Sequence, residues 1–119
     1  MNKERLLLAA SLALAGYATI GQTKSVHEVE VNKDCKAIVV EHGLMKGGLT
    51  LPISPDGKRT IIFLNNQKIL PHELSHSEQA CEQNGVDFVV RYITNPAEVE
   101  ADADRRMERR MYERKKDIR

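Results

Sequence analysis

Residues 60–85 read TIIFLNNQKILPHELSHSEQACEQNG, and this stretch sets out a strand, a short break and a helix. Thr60 to Leu64 is a β-branched, apolar run of strand length. Asn65-Asn66 ends it. Ile69, Leu70, Leu74, Ser77 and Cys81 then fall on one face of a helix. Pro71 suits the first turn, where its missing N–H leaves nothing unpaired, and Asn84-Gly85 is a stop signal in which glycine accepts a left-handed cap.

Outward from that stretch, the N-terminal half has the marks of a small antiparallel sheet. Val26 to Val31 (VHEVEV) alternates with the period of a half-buried strand, and Ala37 to Val40 is a second candidate. Gly43, Gly47 and Gly48 mark a loop, Leu49 to Ile53 a brief extended piece, and Ser54-Pro55-Asp56-Gly57 a turn. Downstream, Val86 to Ile93 is apolar but its periodicity does not decide its type. A last helix begins near Pro96, with Val99, Ala103, Met107 and Met111 as its apolar row, and weakens beyond Met111 into a solvated tail. The expected class is α+β: a small antiparallel sheet, then two helices.

The chain has 119 residues, 41% hydrophobic and 29% charged, which suits one soluble domain. A formal net charge of +1 gives no general pull toward nucleic acid, and no nucleic-acid partner is expected. The arginines from Arg105 to Arg114 are interspersed with Asp104, Glu108 and Glu113 and read as a solvated helix face. Asn2 to Arg5 is a charged start, Leu6 to Ala15 carries no charge, and small residues follow to Ala18. That order is the layout of a secretory signal, so residues 1–20 are expected to be a signal peptide or a membrane anchor. Residues 21–119 then form a single domain with a basic helical tail. Export, or membrane association through residues 6–20, is the expectation, with a buried first helix of a cytoplasmic protein as the alternative. Cys35 and Cys81 fit either a bridge or two small buried thiols.

Within the helix, His72-Glu73-Leu74-Ser75-His76 is HExxH. Residues four apart sit above one another on a helix, so both imidazoles can reach one metal ion. Glu73 beside them can act as general base toward a water in an open metal position. Two unrelated surface histidines are the plainer alternative. A catalytic zinc wants a third protein ligand. Glu98 and Asp102 share a face of the last helix, which suits Glu98 to the metal and Asp102 to a ligand imidazole. Glu98 is also three residues after Asn95 and so placed to close its own helix end. Glu100, turned by about 100° per residue from that face, is read as outside the site. His27 and His42 read as strand-surface or loop residues, Tyr92 and Tyr112 as packing residues with a possible oxyanion role.

HELSHSEQ followed by NPAEVEAD resembles the gluzincin metallopeptidases, and the compact layout is similar to the single-domain minigluzincins. The resemblance covers Thr60 to Arg106 and is specific at the two motifs; the N-terminal half matches nothing in that family. It implies one zinc ion on His72, His76 and Glu98, Glu73 as base, Asp102 behind a ligand histidine, and a peptide or protein substrate. A strand beside the active-site helix would hold that substrate by backbone pairing. The alternative is a non-catalytic, zinc-containing binding module derived from a peptidase.

Overall fold

The computed structural model describes residues 23–43 and 46–117; the leader expected at residues 1–20 lies outside them. The chain is α+β. Four strands, β1 (Thr23–Asn32), β2 (Cys35–His42), β3 (Gly48–Pro52) and β4 (Arg59–Leu64), precede a 3₁₀ turn (Gln67–Ile69) and three helices. These are α1 (Leu70–Gln83), α2 (Gly85–Thr94) and α3 (Pro96–Asp117).

The sheet is mixed, not wholly antiparallel. Its order is β1-β2-β4-β3, with β1–β2 and β3–β4 antiparallel and β2–β4 parallel. The cause is the β3–β4 hairpin. It places β4 between its own hairpin partner and β2, and β4 then runs the same way as β2. The hairpin closes through Ser54 to Gly57: Gly57 N–H donates to Ser54 C=O at 3.1 Å, and Asp56 Oδ1 accepts from Lys58 N–H at 3.0 Å. Gly57 is required twice over. Its φ is +78°, and a Cβ there would lie 1.9 Å from the carbonyl oxygen of Ala80.

β4 shows no alternation because both of its faces are covered. Ile62 and Leu64, with Ala37 and Val39, pack under Ile69, Leu70 and Leu74 of the turn and α1. Ile61 and Phe63 join Val40 in a second cluster on the other face. Each fully buried Val, Ile, Leu or Phe among them contributes about 1.5–3 kcal/mol. Thr60 and Ser77 share a buried hydrogen bond of 2.8 Å that sets the height of α1 over the sheet. Cys35 and Cys81 form a disulfide, with Cα atoms 6.3 Å apart, that ties the start of β2 to α1.

α1 stops one residue earlier than expected. Asn84, at φ 144°, turns the chain instead of Gly85, and its Oδ1 caps α2 by accepting from Asp87 N–H at 2.8 Å. α3 does not fray after Met111 but continues to Asp117. The arginine series is not simply solvated either. Arg106 pairs with Asp102, Glu78 and Glu82 at 2.6 Å each, and Arg110 reaches Glu78 at 2.9 Å and Pro71 C=O at 3.1 Å. These bonds clamp α3 against α1. Among the described residues no helix is long and apolar enough to cross a membrane.

Candidate metal centre

One face of α1 goes to the sheet, so His72, Glu73, His76 and Gln79 are left facing β3, α2 and α3. His72, Glu73 and His76 bring their ligand atoms within 4.8 Å of one another, a group that could hold a metal ion. Glu73 and His76 are buried, at 6% and 2% exposure, and His72 is half-buried. The two imidazoles meet edge to face, with centroids 4.9 Å apart.

Glu98 does not join them. Its carboxylate accepts from Asn95 Nδ2 at 2.7 Å, at the start of its own helix. Glu100 stands where Glu98 was expected. One of its oxygens is 2.7 Å from His72 Nε2 and the other 3.1 Å from His76 Nε2. Asp102 is also displaced from its expected role: it accepts from Gln79 Nε2 at 2.9 Å and from Arg106, not from an imidazole. Asp104 takes that place, 2.9 Å from His72 Nδ1. Glu98–Asp102 and Glu100–Asp104 are the same E-x-x-x-D spacing two residues apart. The pair that faces α1 is decided by how α3 is rotated against it, and the arginine clamp sets that rotation.

Hydrogen bonds at both ring nitrogens hold the imidazoles in place. Gln79 donates from Nε2 to Val99 C=O and Asp102, both at 2.9 Å, so its Oε1 faces His76 Nδ1 at 2.8 Å. Val99 C=O can only accept, which excludes the flipped amide. His76 therefore carries its proton on Nδ1. His72 lies between two carboxylates that can only accept, Asp104 at Nδ1 and Glu100 at Nε2. Both rings turn their Nε2 atoms toward the Glu100 carboxylate. With Nε2 deprotonated, the two imidazoles and the carboxylate would offer one cation three converging Lewis bases. Two imidazoles and a carboxylate are a donor set that a divalent metal ion can take.

Glu73 is held on the other side of the focus. Thr50 Oγ1 of β3 donates to Glu73 Oε1 at 2.8 Å. Gly48 leaves room for the carboxyl, since a Cβ there would lie 2.8 Å from Glu73 Cδ. Tyr92 Oη donates to Glu100 at 2.6 Å, and its ring lies 5.6 Å from that of His76. The phenol is pushed up to about 12, first by that bond to Glu100, then by burial and nearby negative charge. Burial pushes Glu100 upward, but the bond from Tyr92 and the contacts with His76 and His72 outweigh it and hold the carboxyl low. His72, Glu73, Tyr92 and Glu100, with Gly47, Gly48 and Ile69, line an open cleft of roughly 270 Å³. Tyr112 is exposed on α3, and neither His27 nor His42 belongs to the metal group.

Comparison of the chain with family models, with curated proteins and with solved structures finds no match to any of them. The site is therefore read from its own geometry. Glu100, Asp104, Gln79, Thr50 and Gly48 are the residues that sequence reasoning missed. The first two carried a signal, the second E-x-x-x-D pair. Gln79 carried a weaker one, three residues after His76 on the same helix. Thr50 and Gly48 carried none, because only the strand pairing brings them to Glu73.

Proposed function

We propose that this chain is a small zinc-dependent peptidase in which His72, His76 and Glu100 hold one zinc ion and Glu73 is the general base. The observation that carries the reading is the convergence of two imidazole Nε2 atoms and the Glu100 carboxylate beside a buried, hydrogen-bonded Glu73 in an open cleft. The resemblance of HELSHSEQ to gluzincin peptidases supports the same reading.

Zinc bound there would bring the pKa of a water toward neutrality and polarise a substrate carbonyl. The remaining steps belong to the protein. Glu73, steadied by Thr50, takes the proton of the attacking water and passes it to the leaving amine nitrogen. Tyr92, a phenol that keeps its proton at neutral pH, stands beside Glu100 to donate toward negative charge developing on the carbonyl oxygen. Asp104 and Gln79 engage the imidazoles at Nδ1 and orient their Nε2 atoms toward the metal position. The Cys35–Cys81 disulfide supports export to an oxidising compartment.

The test is zinc content and peptide cleavage of wild type and Glu73→Gln. Full zinc in both, with cleavage lost only in Glu73→Gln, supports the reading. Equal cleavage by the two proteins removes Glu73 as the base, and a wild type that takes up no zinc removes the metal.

A further inference from the structure

We propose that two copies of this chain pair along the outer edge of β1, antiparallel about a two-fold axis at Val26, and so join their sheets into one. β1 and β3 are the two ends of the sheet, and the metal cleft is lined from the β3 end by Gly48. The join therefore leaves both clefts open.

Among the described residues no strand pairs with the outer edge of β1. Such an edge is a template for another strand. The register of β1 with β2 is regular from Ser25 to Glu30. Across the sheet, Leu49 lies opposite Phe63, Phe63 opposite Val40, and Val40 opposite Val26. These four apolar side chains form one row that runs through all four strands. Val40 and Phe63 are 2% exposed, but Val26, where the row reaches the edge, is 55% exposed. A second β1 with its own Val26 opposite continues the row and covers this valine.

Charge selects the same register. A two-fold axis at Val26 sets Lys24 opposite Glu28 of the second copy, and by symmetry it does so twice. Lys24, Val26 and Glu28 alternate on one face and are all exposed. Glu28 meets Lys36 at 3.5 Å on the surface, and Lys24 is in no ion pair among the described residues. Moving the axis to Ser25 or His27 would set Val26 against Lys24 or Glu28 and break the apolar row. Moving it to Glu28 would set that carboxylate against its own copy. One edge-to-edge strand pair buries less than the roughly 1,600 Å² of a standard interface, so a dissociation constant on the order of 10 μM is expected.

The test is sedimentation velocity on the purified chain over a concentration series from about 1 to 100 μM, which brackets the expected constant. Wild type should pass from monomer to dimer. Lys24→Glu places like charges opposite each other at two points and should weaken the dimer about tenfold or more. Lys24→Glu combined with Glu28→Lys restores opposite signs and should restore the dimer. Both side chains are exposed, so the fold should be kept, as circular dichroism would show. The proposal is overturned if wild type stays monomeric throughout, if Lys24→Glu dimerises as tightly as wild type, or if the double variant fails to recover the dimer. Association driven by the uncharged stretch from Leu6 to Ala15 would be indifferent to the charge swap and would overturn it in the same way.

Discussion

Gln79 Oε1 lies 2.8 Å from His76 Nδ1, and the amide is only 2% exposed. It is the link through which α3 orients His76 on α1, because both amide hydrogens go to Val99 and Asp102 of α3. Gln79→Met keeps the volume and loses all three bonds. Zinc affinity should fall about 10–100-fold, the usual effect of removing a partner behind a ligand histidine. Stability should fall by about 1–3 kcal/mol for the buried groups left unpaired. Competition with a chromophoric chelator and a urea melt measure the two. Unchanged zinc affinity would show that His76 needs no such orientation.

Gly48 and Glu73 give a second prediction, on catalysis alone. The three atoms nearest to the Cβ of Gly48→Ala all belong to Glu73, so its carboxyl would be displaced. Zinc content should stay at the wild-type level. The rate of peptide cleavage should drop by about 10²-fold, the cost of misplacing a reacting group by about an ångström. A wild-type rate in Gly48→Ala would mean that Glu73 does not act from this position.

How much of this was legible beforehand divides along physical lines. The α+β class, the position of α1 and the pairing of His72 with His76 all come from local periodicity and spacing, which a sequence displays directly. The parallel β2–β4 pairing does not, because alternation reports which face is buried and says nothing of a strand's neighbours. Glu98 and Glu100 differ by a rotation of α3 that depends on Arg106 and Arg110 meeting Glu78, contacts with no local signature. The apolar α2 could not be told from a strand by its pattern, and its role as a cleft wall, through Tyr92, appears only against β3.

The same clamp makes a prediction for acid. Burial works to raise the pKa of Asp102, but hydrogen bonds from Gln79 and Arg106 outweigh it and lower the pKa from 3.8. Stability from this group is then complete above 3.8 and is lost as pH falls through the lower folded value. Arg106→Leu removes the stabilising cation and leaves the Asp102, Glu78 and Glu82 carboxylates without it. Its stability at neutral pH should fall by about 1–2 kcal/mol, less than for a buried pair because solvent screens the partly exposed Asp102 and Glu82, and its acid unfolding should begin at higher pH. Urea melts between pH 2 and 7 on both proteins check this; identical profiles would remove the clamp from the account.

The central claim is that Glu100, not Glu98, completes the metal site. Zinc stoichiometry measured side by side on wild type, Glu98→Ala and Glu100→Ala tests it most directly. The account predicts one zinc per chain in wild type and in Glu98→Ala, and loss of tight zinc from Glu100→Ala. Zinc lost from Glu98→Ala and kept by Glu100→Ala would contradict it.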